Sequence, residues 1–143
     1  LESSIVSLLP GDSPRLLRRG MRSQHQLEAV LGAPLEGKDG GVRAPGQHHR
    51  HYAPSTLSLA LDQAPAEALA SPRCGWLWCG QAQPSQGPAV NLGNEPQAYA
   101  AGLYAALYQL DALGLERLYI QLPPHQDAWA AVHDRLARAT QRL

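Results

Sequence analysis

The sequence predicts an α/β protein, a mostly parallel sheet flanked by helices with a smaller strand–strand–helix unit ahead of it. Three observations predict this. Strand-like runs alternate with helical stretches from residue 55 onward. Within that region residues 74–79, Cys-Gly-Trp-Leu-Trp-Cys, form a continuous apolar run, as expected of a strand covered on both faces of a parallel sheet. Residues 33–54 interrupt the pattern with Gly, Pro and polar residues, and an aperiodic stretch of roughly twenty residues reads as a functional or interdomain loop.

In chain order, residues 4–9 and 15–19 are short strand candidates. Pro10-Gly11-Asp12-Ser13-Pro14 between them is strong turn chemistry and makes a hairpin the expectation. Ser23-Gln24-His25-Gln26 fits a capping box, Leu27, Val30 and Leu31 supply an apolar face, and Gly32 is a helix stop. Two strands and one helix bury too little to fold alone, so this unit needs partner strands. The first residue is Leu1 rather than Met and leads straight into strand-like sequence, so the chain is expected to be cut from a longer one.

Residues 56–62 alternate as a strand, and Pro65 to Leu69 reads as a short helix. After the 74–79 strand, 81–87 is a loop and 89–92 a short strand. Asn94-x-x-Gln97 reads as the cap of a long helix with Tyr99, Leu103, Leu107, Leu110 and Leu113 on one side and Gly114 as its stop. Residues 117–122 form a strand, followed by Pro123-Pro124. The last helix is expected over about 127–142, with Trp129, Val132, Leu136 and Ala139 inward. The strands near 56–62, 74–79 and 117–122 should lie side by side. The expected division is thus 1–32, a linker at 33–54, and an α/β domain over 55–143.

Composition excludes several function classes. Lys plus Arg and Asp plus Glu are both 12 in 143 residues, so no global field draws the chain to nucleic acid or membrane. No apolar run is long enough to span a bilayer. Cys74 and Cys79 have odd spacing on one strand, hence opposite faces, and a reducing cytoplasmic setting is the natural assumption. His48, His49 and His51 lack a Cys or acidic ligand at a matching spacing, so no metal site is expected and a solvated or phosphate-facing loop is the better reading. His25 and His133 read as surface or partly buried helix residues, and Trp76 and Trp78 as core. Asp134 and Arg135 are adjacent and are not expected to face each other on a helix.

The linker contains Ala44-Pro45-Gly46-Gln47-His48-His49-Arg50-His51-Tyr52-Ala53-Pro54. Its prolines fix φ, and Pro54 biases Ala53 towards extended geometry, so His51 to Pro54 reads as a stiff strap. This string resembles the interdomain linker of two-domain L-threonylcarbamoyladenylate synthases, usually Ser-Pro-Gly-Met-x-x-x-His-Tyr-Ala-Pro. Ala44 and Gln47 depart from that pattern, while His-Tyr-Ala-Pro is intact. Residues 2–7 (Glu-Ser-Ser-Ile-Val-Ser) and 17–23 (Leu-Arg-Arg-Gly-Met-Arg-Ser) resemble motifs that end the family's catalytic domain, with Ser4 for Thr, Ser7 for Asp and Arg19 for Pro. Residues 98–114 and 131–139 resemble its C-terminal accessory domain.

The resemblance implies that 1–32 is the C-terminal remnant of a YrdC-like α/β catalytic domain and that 55–143 is a Rossmann-like accessory domain. It implies Arg18 and Tyr52 as nucleotide-binding residues and Ser3 and Ser4 as threonine-binding residues. Pro45, Gly46 and His51 become parts of a lid-like linker, and no catalytic residue is assigned. Without the resemblance, Ser3 and Ser4 are ordinary strand hydroxyls and Tyr52 a packing residue. The Arg15, Arg18, Arg19 and Arg22 run is then a solvated face. The implied activity is nucleotidyl transfer: L-threonine, bicarbonate and ATP, the last as substrate with magnesium, give threonylcarbamoyl-AMP for tRNA modification by partner proteins. No tightly bound cofactor or membrane is implied. Taken alone, the chain is expected to be inactive. The alternative is a non-catalytic interaction or regulatory module built on the α/β domain, and a weak RNA contact is a third reading.

Overall fold

The computed structural model describes residues 3–37, 53–63, 65–80 and 85–142. The N-terminal unit is a hairpin of β1 (Ile5–Ser7) and β2 (Arg15–Arg18), paired antiparallel, followed by α1 (Gln24–Leu31). A bulge opposite Ile5 and Val6 breaks the strict alternation of β2, where Leu16 and Leu17 are both buried. The capping box is present in full. Ser23 Oγ accepts from the Gln26 amide at 3.2 Å, and Gln26 Oε1 accepts from the Ser23 amide at 3.0 Å. Gly32 closes α1 in the left-handed region, φ 67°. The chain beyond the helix is pinned back: Glu28 Oε1 accepts from the Leu35 amide at 2.8 Å and from Gln24 Nε2 at 2.8 Å. Val30 departs from the expected apolar face, because it is 87% exposed and no residue of α1 is fully buried.

The larger unit is a five-stranded sheet built from β3 (Leu57–Leu61), β4 (Cys74–Trp78), β5 (Ala89–Asn91), β6 (Arg117–Gln121) and β7 (Gln141–Arg142). The order is β5-β4-β6-β3-β7 with every neighbouring pair parallel. The three strands expected side by side are its centre. The short helix α2 (Ala66–Ala70) covers one face, and α3 (Pro96–Asp111) and α4 (Ala130–Ala139) cover the other. β4 is buried at all five positions and sorts its side chains by the two-residue period. Cys74, Trp76 and Trp78 join Leu59, Ala68 and Tyr119 beneath α2. Leu77 joins Leu118, Ile120, Leu103, Leu107 and Leu136 beneath α3 and α4. Cys79 packs against this second cluster, so the two cysteines lie on opposite faces. Burial pushes both its thiol and the Tyr99 phenol up. Tyr99 meets Trp129 edge-on, with ring centroids 5.4 Å apart.

Helix ends differ from the expected ones at three places. α3 is capped at Glu95 without a side-chain hydrogen bond and begins with Pro96, whose fixed φ and missing N–H suit the first turn. Asn94 is therefore outside it. α3 ends at Asp111, leaving Leu113 54% exposed, and Gly114 takes φ 64° three residues later. The last helical segment is a 3-10 turn, Asp127–Trp129, leading into α4, and the chain then turns extended at Thr140 to add β7 beside β3. Trp129, Val132, Leu136 and Ala139 are buried as the apolar stripe requires.

Asp111 ties the start of β3 to the end of α3. Its carboxylate accepts from the Ser55 amide (3.0 Å), the Ser55 hydroxyl (3.0 Å) and the Thr56 amide (2.7 Å). Burial acts to raise its pKa, but these bonds outweigh it and hold the carboxyl at about 2, below its ordinary 3.8. A depressed carboxyl stabilises the fold fully above its unfolded value and loses that contribution as pH falls through the folded one. The thermal stability of the parent chain should therefore fall as pH drops from about 4 to about 2. Asp111→Asn should be less stable near neutrality and should lack this part of the acid slope. Parallel slopes for the two chains across that window would show that the anchor contributes nothing.

Candidate functional site

The hairpin brings three of the sequence-predicted residues together. Arg18, the last residue of β2, lies opposite Ile5, so its side chain reaches the segment that enters β1. Its Nε donates to the Ser3 carbonyl at 3.3 Å and its Nη2 to Ser3 Oγ at 2.5 Å. Two residues on, the Gly20 amide donates to Ser4 Oγ at 3.2 Å. Gly20 is buried against this segment. A Cβ there would stand 2.4 Å from both Ser3 C and Ser4 N, so only glycine lets the backbones approach this closely. The result is a cradle with two hydroxyls and a guanidinium that is always charged. Such a group grips carboxylate or phosphate oxygens through paired N–H bonds.

The cradle is held from the other unit. Arg135 on α4 is 8% exposed, and its Nη2 donates to the Arg19 carbonyl at 3.3 Å, between Arg18 and Gly20. Its Nη1 donates to Asp134 Oδ2 at 2.7 Å, and Arg138 pairs with the same oxygen from one turn away. The expectation that Asp134 and Arg135 do not face each other is therefore corrected. The flexible guanidinium arm folds back along the helix, and a carboxylate shared by two cations keeps it there. Met21 packs against the core beneath α3 and α4, adding an apolar contact between the two units.

Tyr52, His51, Pro45 and Gly46 lie outside the described residues. The string they belong to emerges at Ala53 and Pro54. These line a small cavity of about 170 Å³ with Tyr104, Leu107, Tyr108 and Asp111. Sequence reasoning missed Asp111, whose partners lie 56 and 55 residues away with no local signal. It also missed the Asp134–Arg138 pair, although the four-residue helical spacing was readable. Among the described residues, no group of three or more His, Cys, Asp or Glu is placed to hold a metal ion.

Residues 23–141 match the family described as threonylcarbamoyl-AMP synthase, C-terminal domain. The chain belongs to that family. It is also similar to a solved structure, the P. abyssi Sua5 crystal structure complexed with L-threonine, at TM-score 0.76 and 24% identity. That match covers 99% of this chain and 47% of the other, so the chain spans about half the length of that structure. The α/β fold and its parallel sheet are thus shared with Sua5. A search of curated proteins finds no match. No helix among the described residues is long and apolar enough to cross a membrane.

Proposed function

We propose that this chain is the C-terminal portion of an L-threonylcarbamoyladenylate synthase, a nucleotidyltransferase of the cytoplasm serving tRNA threonylcarbamoyladenosine formation. Residues 1–32 finish its catalytic domain, 33–54 are the linker, and 55–143 are the accessory domain. The observation that carries the reading is the Ser3–Ser4–Arg18 cradle closed by Gly20, in a chain whose remainder belongs to the synthase family. The complex of P. abyssi Sua5 with L-threonine supports threonine as the ligand of the hydroxyl side.

In the proposed reaction, the threonine amine and bicarbonate condense to a carbamate with loss of water, and a carbamate oxygen attacks the α-phosphorus of magnesium-bound ATP, with pyrophosphate leaving. Both partners are anionic, so the step needs fixed cations, and the labile carbamate needs water kept away. Arg18 supplies one cation, and Ser3 and Ser4 supply hydroxyls for the amino acid. The linker residues Tyr52, His51, Pro45 and Gly46 form the lid.

A two-armed assay of threonine-dependent pyrophosphate release from ATP tests this. The chain alone should release none, because one hairpin and one helix form a single wall of a site that must enclose two substrates. The same chain preceded by the rest of a catalytic domain, which residues 1–32 would complete, should be active. Arg18→Ala should then lose roughly tenfold to a hundredfold in nucleotide affinity, the cost of one charge-assisted hydrogen bond. Tyr52→Ala should weaken ATP and raise wasteful hydrolysis. Activity of the chain alone comparable with the joined protein, or variants that match their parent in ATP binding and product ratio, would overturn the assignment.

A further inference from the structure

A second polar groove lies past the carboxyl end of β6, and its lining includes none of Ser3, Ser4 or Arg18. In a parallel sheet, small molecules settle outside the carboxyl ends of two adjacent strands whose following connections leave to opposite faces. Here those strands are β3 and β6: α2 follows β3 on one face, and the 3-10 turn and α4 follow β6 on the other. Beyond β3 and β6, His125 Nε2 stands 3.9 Å from Asp62 Oδ1. A groove of about 370 Å³ adjoins this point, lined by Arg19, His125, Gln126, Ala130, His133 and Asp134.

Its polar groups point to a particular ligand chemistry. The rings of His125 and His133 stack at 4.6 Å with planes 11° apart. His133 Nε2 lies 3.2 Å from the Pro124 carbonyl, which can only accept, so this nitrogen carries a proton. Its Nδ1 is buried and has no hydrogen-bond partner among the described residues. Arg19 makes its bond to Arg135 through its carbonyl, and its guanidinium has no partner among the described residues. The lining carboxylate, Asp134, is held by Arg135 and Arg138. Two stacked imidazoles and a guanidinium beside an acid already engaged by two cations suit an anion, which must compete with the exposed Asp62 carboxylate for His125.

We propose that this groove binds a small oxyanion of the phosphate class, gripped by Arg19 and His125 beside the ring of His133. The proposal is independent of the function proposed above, since none of these three residues belongs to the cradle.

The test is a titration of the isotopically labelled 143-residue chain with inorganic phosphate, followed by the histidine ring resonances. Chloride at matched ionic strength is the reference, and AMP is a second probe. Phosphate should move the His125 and His133 ring signals saturably. Arg19→Gln keeps the carbonyl that Arg135 uses and should weaken binding roughly tenfold. His125→Asn should do the same from an exposed, easily replaced position. AMP binding tighter than phosphate would support a nucleotide's terminal phosphate as the ligand, and equal or weaker binding a free oxyanion. Shifts that fail to saturate, that chloride reproduces, or that survive Arg19→Gln at unchanged affinity would overturn the site.

Discussion

Asp134→Ala is expected to destabilise the chain by about 3–5 kcal/mol, the range for removing one partner of a buried ion pair. The carboxylate is shared. Arg135 bonds it from the next residue and Arg138 from one turn on, with side chains only 9%, 10% and 13% exposed for Arg135, Asp134 and Arg138. Burial already pushes the Arg138 guanidinium down from its ordinary range, and losing the carboxylate leaves two cations in a poorly hydrated place without their counter-charge. Arg135→Met should cost less, because it removes a charge and fills the volume with an apolar chain. It should also release the Arg19 carbonyl, so amide exchange near residue 20 should speed up. Urea unfolding of the two single variants and the double variant measures this. A loss below about 1 kcal/mol for Asp134→Ala would place the triad with ordinary surface pairs, whose contribution is that small.

The parts of this fold legible in the sequence were those set by short-range pattern. The buried strand at 74–78 announced itself because both its faces are apolar, and Ser23 with Gln26 announced α1 because a capping box is complete within four residues. The one missed helix start also has a local cause: Pro96 brings a fixed φ and one fewer unpaired N–H to the first turn, so α3 starts there without a side-chain cap and Asn94 was a decoy. Val30 misled because α1 contributes little to either core cluster. The candidate site was readable only in part. Ser3, Ser4 and Arg18 could be named but not joined, since hairpin register is fixed by a bulge that the residues do not advertise. The resemblance puts a proline at the position where this chain has Arg19, so a rigid bend beside Arg18 was not expected. The bond from Arg135 to the Arg19 carbonyl supplies a restraint at the same point from 116 residues away, and no local pattern encodes it.

Gly20→Ala is expected to open the cradle while leaving the five-stranded sheet intact. The added methyl would meet Ser3 C and Ser4 N at 2.4 Å and the Ser3 carbonyl oxygen at 2.8 Å, all backbone atoms, so no rotamer change relieves the clash. Either the entry to β1 peels away from residue 20 or β2 bends. Both break the Gly20–Ser4 bond and draw Ser3 from Arg18. Overpacking of this kind costs about 1–3 kcal/mol, and at 1.4 kcal/mol per factor of ten the β1 amides should exchange roughly 5- to 150-fold faster. The sheet's two core clusters contain no residue of the hairpin among their buried members, so its exchange should hardly change. Gly32→Ala is the matched control: it strains a left-handed backbone at φ 67° but meets nothing within 4 Å, and it should leave β1 protected. In the joined protein described above, Gly20→Ala should weaken threonine and ATP together, whereas Arg18→Ala should bear mainly on ATP. If β1 exchanges alike in the Gly20 and Gly32 variants, the close approach at residue 20 does not hold the cradle shut.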